Sequence, residues 1–262
     1  MKKLLAMVLA AALLLFAVSA VAEEGDLLSR IQARGTLIVA TEGNWSPWTY
    51  HDETTNELTG LDIEIATLIA HGLGVEPEFM ETDWDAILAG VESGRFDIAC
   101  NGVDYTEERA EKYTFTTPYV YMNTVLVVRA DNEDILTLED LNGKVTTNSP
   151  ASTYADLAEA YGASVTYVNT LGETMALLEQ GRADATLNAR ESVADYLAQH
   201  PDANIKVVGV VDSTVVAYPV RKDADTETLV AAINEILETA REDGTLAAIS
   251  EKYFGVDVTK AE

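Results

Sequence analysis

The sequence predicts an α/β protein built from two similar halves, and three features predict it. Apolar runs with strand character alternate with amphipathic helical patterns along most of the chain. A helix-stop motif that leads straight into a strand occurs once in each half. A long amphipathic helix then closes the sequence and has an apolar stripe to bury against one of those halves. Strands that alternate with helices form largely parallel sheets covered on their faces by the helices.

Thr36 to Thr41 (Thr-Leu-Ile-Val-Ala-Thr) reads as a buried strand, and Leu61 to Leu73 as a helix with Ile65, Ala66, Ile69 and Leu73 on its apolar side. Pro77 to Glu81 is a second strand, Trp84 to Ser93 a second helix, and Phe96 to Asn101 a third strand. The second half repeats the alternation. Lys144 to Thr147, Ser164 to Val168 and Ala183 to Asn188 are its strands; Ser152 to Tyr161, Leu171 to Gln180 and Glu191 to His200 are its helices. Thr226 to Glu242 is the long closing helix, carrying Leu229, Ile233, Ile236 and Leu237; Asp243-Gly244 breaks it before a shorter helix that ends at Tyr253-Phe254.

The internal echo sets the organisation. Glu92-Ser-Gly-Arg-Phe-Asp-Ile-Ala-Cys-Asn101 and Glu179-Gln-Gly-Arg-Ala-Asp-Ala-Thr-Leu-Asn188 share Glu, Gly, Arg, Asp and Asn at matching places. In each, the glycine suits the left-handed position that ends a helix. Either this is a common helix stop met twice, or the two segments are equivalent βαβ units. In the second case Asn101 and Asn188 both stand at carboxyl ends of strands, where open α/β sheets bind ligands. A cleft between two lobes follows.

Composition excludes several functions. The 262 residues hold 44 Asp and Glu against 17 Lys and Arg, a net charge of −27. A nucleic-acid backbone needs clustered basic residues, and an anionic membrane surface needs them as well; the chain has no such clusters. One cysteine, Cys100, rules out an intramolecular disulfide and any multi-thiolate metal site. His51, His71 and His200 lie in separate segments, so no metal or other cofactor is expected. Met1-Lys2-Lys3, the apolar run from Leu4 to Val18 and Ala20-Val21-Ala22 read as a secretory signal cleaved after Ala22, the alternative being an N-terminal membrane anchor. The run is shorter than the roughly 20 residues of a bilayer span, and no cysteine follows it to carry a lipid.

Few residues offer chemistry. Arg109 follows the third strand in Thr106-Glu-Glu-Arg109, with Thr106 as a helix N-cap. Its guanidinium can fork onto a ligand carboxylate, or it can pair with Glu107 or Glu108. Arg95, inside the helix stop, is placed to bond terminal carbonyls. Trp45, Trp48 and Tyr50 sit in the loop after the first strand. Trp48 reads as core, whereas Trp45 is either core or a ligand wall. Trp84 opens the next helix in the same layer, so Trp45 and Trp84 can face each other across a ligand. No nucleophile–base order, phosphate loop or metal spacing is present.

Taken in order, Thr41-Glu-Gly-Asn-Trp-Ser-Pro-Trp48, Leu58-Thr-Gly-Leu-Asp-Ile-Glu64, Glu81-Thr-Asp-Trp-Asp-Ala86, Gly94-Arg-Phe-Asp97 and Thr106-Glu-Glu-Arg-Ala-Glu-Lys-Tyr113 resemble the solute-binding proteins of polar amino-acid ABC importers (bacterial extracellular solute-binding family 3). Gly181-Arg-Ala-Asp184 and Asp243 to Gly255 continue the resemblance, which spans nearly the whole chain after the signal. It implies two α/β lobes joined by two hinge strands: residues 23–122 with 214–262, and residues 123–213. It implies a periplasmic, monomeric protein, open when unliganded, that closes over a free amino acid and delivers it to a membrane permease.

Carried over by position, Arg109 would bind the ligand α-carboxylate, helped by backbone N–H groups near Gly102 and Asp104 and by the Ser152 hydroxyl. Trp45 and Trp84 would enclose the ligand side chain, and Glu42 would meet it. The chain departs from the family pattern at Asp104, where relatives often carry Ser or Thr, and at Ala189, where many carry the aspartate that pairs with the ligand ammonium. Asp104, Glu191 or Glu42 is expected to replace that charge. The segment from Asn148 to Ala163 is most similar to cystine-type relatives, which makes cystine or glutamine the first expected ligand. A dehydratase of cyclohexadienyl acids, with Glu191 as general acid, is the alternative on this fold.

Overall fold

A computed structural model describes residues 25–260, so the expected signal segment lies outside the described residues. The first lobe opens with helix α1 (Leu27–Arg34), which the sequence reading did not anticipate. Asp26 caps it by accepting the Ser29 N–H. Strand β1 (Thr36–Thr41) follows and lies at the centre of a parallel sheet, between β5 (Glu76–Glu81) and β6 (Ile98–Ala99). Its side chains alternate as a pleat requires. Leu37 and Val39 face a core shared with α2 (Leu61–Gly72), while Ala40 faces α3 (Trp84–Glu92) through Ile87 and Val91.

Between β1 and α2 the chain makes a small antiparallel sheet, β2 (Asn44–Trp45), β3 (Thr49–His51) and β4 (Leu58–Thr59). Gly60 allows it to sit against α2: a Cβ there would lie 2.2 Å from the Trp48 carbonyl oxygen. After β6 come α4 (Glu107–Lys112) and β7 (Tyr113–Phe115).

Strand β8 (Val120–Arg129) leaves the first lobe and enters the second, where the sheet order is β10-β9-β11-β8-β12. Strands β9 (Val145–Asn148), β10 (Ser164–Tyr167) and β11 (Ala185–Ala189) are mutually parallel. Helices α6 (Leu171–Glu179) and α7 (Arg190–Gln199) cover one face through Met175, Leu178 and Val193, against Val125 and Val127 of β8. Helix α5 (Thr153–Ala160) covers the other, where Leu126 and Val128 point.

Strand β12 (Ile205–Val216) returns antiparallel to β8 along its whole length, from Ile205 opposite Arg129 to Val216 opposite Val120. These two strands are the connections between the lobes, and the expected divisions at 122/123 and 213/214 fall inside them. β13 (Pro219–Arg221) then pairs with β7, and α8 (Glu227–Glu242) and α9 (Thr245–Phe254) pack on α1 and α2. The first lobe is therefore closed by both ends of the chain.

The repeated helix stop performs one task twice. Gly94 and Gly181 both have left-handed φ, +74° and +68°. The carboxylate of Asp97 accepts the N–H of Ile38 on β1 at 2.7 Å, and that of Asp184 accepts the N–H of Val145 on β9 at 2.8 Å. Each aspartate thus ties a returning chain to the neighbouring parallel strand. Arg95 does not bond helix carbonyls as expected; its guanidinium lies over the Phe96 ring.

Candidate functional site

The carboxyl ends of the parallel strands in the two lobes face each other across a cleft, and the loops there line it. From the first lobe come Glu42, Asn44 and Trp45 after β1, Trp84 at the start of α3, and Asn101, Gly102 and Asp104 after β6. From the second come Asn148 to Tyr154 between β9 and α5, Asn169 to Thr174 between β10 and α6, and Asn188 near the end of β11. The lobes are shut against one another rather than open, leaving a narrow void of about 60 Å³.

Hydrogen bonds cross between the lobes. Trp48 Nε1 donates to Ser192 Oγ at 3.1 Å, with both residues fully buried. Trp84 Nε1 donates to the Ala151 carbonyl at 3.3 Å. Thr153 Oγ1 donates to the Asp104 carboxyl.

Glu42 is the acid most open to a ligand. Asn101 holds it twice, its Nδ2 donating to Glu42 Oε2 at 2.7 Å and its Oδ1 accepting the Glu42 N–H at 2.8 Å. Burial pushes its carboxyl up to about 7, against the bonds from the Asn101 amide and the Trp84 backbone, and the nearby Asp83 and Asp85 push the same way. Asp104 is 5% exposed, and burial raises it too, opposed by Arg109 and by the Thr153 bond. The repulsion of a ligand carboxylate expected from Asp104 is weakened, because its carboxyl is turned to Thr153. The charged side chains that line the cleft are these two acids.

Several expected site residues lie outside the cleft lining or have their hydrogen-bonding groups engaged elsewhere. Arg109 does not line the cleft. Its guanidinium donates to the Asp104 carbonyl at 3.1 Å and to the Ala151 carbonyl at 3.4 Å, and lies over the Trp84 ring. It spans the rim and meets neither Glu107 nor Glu108. The Gly102 N–H is already committed to Asp62 Oδ2 at 2.5 Å. Asp62 is fully buried, also accepts the Tyr119 hydroxyl at 2.5 Å, and is pushed up to about 7 by that burial.

The Ser152 hydroxyl gives its one proton to the Ser149 carbonyl at 2.8 Å and accepts the Ala155 N–H, so it caps α5 and has no donor left for a ligand. Glu191 is buried and paired with Arg190 at 3.0 Å. It lines a different groove, behind the hinge strands, with Tyr121 and Ser213. It does not line the cleft.

The aromatic walls are partly as expected. Trp48 is core, and Trp45 lies on it with ring centroids 5.3 Å apart. Trp45 and Trp84 both line the cleft, each with one side of its ring engaged, by Trp48 and by Arg109 respectively. Gly102 is shaped to this wall: its φ is +57°, and a Cβ would stand 2.6 Å from the Trp45 ring.

Asn148, Thr170 and Thr174 line the cleft and were not singled out from the sequence. The rule that exposed Asn101 and Asn188, ligands at strand carboxyl ends, applies equally to β9 and β10 and would have found Asn148 and Thr170; Thr174 lies inside α6. Among the described residues no group of three or more His, Cys, Asp or Glu is placed to hold a metal ion, and no helix is long and apolar enough to cross a membrane.

This architecture and cleft have clear counterparts. Residues 37–256 match the bacterial extracellular solute-binding proteins, family 3. A probable amino-acid ABC transporter-binding protein of Haemophilus influenzae is 39% identical over 93% of this chain and 94% of its own length. An L-cystine-binding protein of Bacillus subtilis is 38% identical over 91% and 88%. A solved structure of an ancestral arginine-binding protein bound to glutamine superposes with a TM-score of 0.79 at 36% identity, covering 85% of this chain and 99% of that one. A match over nearly the whole of the described residues, with both lobes and the cleft between them accounted for, is decisive: the chain belongs to the bacterial extracellular solute-binding proteins, family 3.

Proposed function

We propose that the cleft captures a free amino acid outside the cytoplasm and that the closed, loaded protein delivers it to the permease of an ABC importer. The observation that carries this reading is the cleft itself: two lobes close over a narrow void, lined by amides, hydroxyls, two acids and two indoles, through contacts made by side chains of both. Ligand that touches both lobes stabilises the closed form, and a transporter that recognises that form takes up loaded protein in preference. The chain acts as an exported monomer, freed of residues 1–22.

The lining selects for charge. With Glu42 and Asp104 as its charged groups, and Arg109 at the rim, the cleft suits a ligand with at least one ammonium and disfavours a net anion. L-Cystine is the ligand of first choice, supported by the Bacillus subtilis relative, and glutamine the second. In this reading Glu42 meets an ammonium, Trp45 and Trp84 flank the ligand chain, and Arg109 turns from the Ala151 carbonyl to the ligand carboxylate. The dehydratase alternative is not favoured, since Glu191 lies outside the cleft.

A thermal-shift screen of the free amino acids tests the proposal, with Arg109→Ala as control. A rise in melting temperature with cystine that the variant loses is the expected result. No rise with any amino acid, or conversion of prephenate to product, refutes capture as the function.

A further inference from the structure

We infer that the side-chain carbonyl of Asn148 is the acceptor on the second lobe for the ligand's ammonium group, in place of the carboxylate that residue 189 lacks. The inference rests on amino-acid capture in this cleft and adds the residue that reads the ammonium. Asn148 ends β9, at the carboxyl edge of the parallel strands, where it lines the cleft and is 2% exposed.

Its orientation is set by its neighbours. Nδ2 donates to the Leu187 carbonyl at 2.7 Å and to Thr186 Oγ1 at 3.3 Å. Thr186 Oγ1 spends its own proton on the Thr147 carbonyl at 2.6 Å, so both partners of Asn148 can only accept. Turning the amide over would set two oxygens against Oδ1, which fixes the amide as described. Oδ1 is then left buried with no donor. Buried carbonyls in folded proteins almost always have a partner, and one that lacks it at a binding cleft is available to a ligand donor. An ammonium carries three donors and supplies the missing one.

The carboxylates expected to replace the charge that residue 189 lacks are placed differently. Glu191 is behind the hinge strands, residue 189 is an alanine, and Asp104 accepts from Thr153. Glu42 is free to take part, but it belongs to the first lobe. An amide also suits this cleft better than a third carboxyl. Glu42 and Asp104 are already held toward their protonated forms by burial, and a further negative charge would drive them further. A neutral acceptor adds a hydrogen bond without that repulsion.

The test is a comparison of paired probes: L-glutamine with glutaramate, which differ by one α-ammonium, and L-cystine with dithiodipropionate, which differ by two. Affinities are measured by titration calorimetry on wild type, Asn148→Ala and Asn148→Ser. The serine keeps a hydroxyl able to donate to Leu187 should the alanine fail to fold. Wild type is expected to prefer the ammonium-bearing member, and the variants to lose about tenfold or more of that preference, as for a hydrogen bond to a charged group, while binding of the deaminated member changes little. An unchanged preference overturns the inference and leaves capture standing. Wild type that binds no amino acid overturns capture itself. A crystal structure of the wild type with its amino acid decides independently of any variant: the ligand nitrogen within about 3.2 Å of Oδ1 supports the assignment, and a nitrogen bound elsewhere refutes it.

Discussion

Replacing Glu42 by glutamine is expected to make the unliganded protein more stable at pH 8 and to leave it unchanged near pH 4. In the folded chain burial moves the Glu42 carboxyl from its ordinary 4.5 up to about 7. The folded state therefore holds a proton that the unfolded state releases over that interval. Stability from this group is fully present below pH 4.5 and is lost as the pH rises through about 7. At about 1.4 kcal/mol per pH unit the loss is about 3 kcal/mol.

Glutamine cannot ionise, and its carbonyl can still accept from Asn101 Nδ2, so Glu42→Gln escapes the loss while keeping the local bonds. Asp62 also titrates near 7, but it does so in both proteins and cancels in the difference. The assay is urea unfolding of ligand-free wild type and variant at intervals from pH 4 to pH 8. The difference in unfolding free energy is expected to grow from near zero to about 3 kcal/mol in favour of the variant. A difference that stays constant with pH refutes the placement of Glu42 in a desolvated cleft wall.

Other perturbations probe the neighbouring contacts. Gly102→Ala forces a Cβ into the Trp45 ring at a left-handed φ and is expected to cost about 1–3 kcal/mol and to weaken amino-acid binding; melting temperature and tryptophan fluorescence report both. Trp48→Phe removes the bond to Ser192 across the lobes, at about 1 kcal/mol. The Trp48→Phe/Ser192→Ala double variant should cost less than the two singles summed, and strict additivity would show that the bond contributes nothing. Cys100 is fully buried, and burial pushes its thiol up, so it should react with a disulfide reagent only in denaturant. Rapid reaction of the folded protein would place it elsewhere.

Much of the fold was legible because period-2 and period-3.6 patterns are local. Leu37, Val39 and Ala40 declare a two-sided strand, and Gly94 and Gly181 declare where helices stop. The hinge strands were harder to read. β8 is buried along most of its length, but β12 has exposed Val207 and Val210 and two register shifts, and its pattern is blurred accordingly. At the site, the positions of Glu42, Trp45, Trp84 and Asn101 follow from one topological rule. What the residues do there does not, because donors and acceptors are allotted by contacts between distant segments. Ser152 gives its proton to Ser149, Gly102 gives its N–H to Asp62, and Arg109 reaches the opposite lobe. None of these choices leaves a mark in a spacing.

That allotment also divides labour between the lobes. The first brings carboxyls and indoles to the cleft, Glu42, Asp104, Trp45 and Trp84; the second brings amides and hydroxyls, Asn148, Thr170, Thr174 and Asn188. Bringing a charged surface down onto a bound ligand would strip water from those charges during closure, at a cost that grows as the site dries. A neutral lobe closes with less to desolvate. The ligand's charge is then met first on the lobe that carries charge, and the second lobe adds hydrogen bonds as it arrives. On this division, neutral substitutions at Thr170 or Thr174 should change how tightly the closed form is held more than they change which ligand charge is accepted. Glu42 should control the latter.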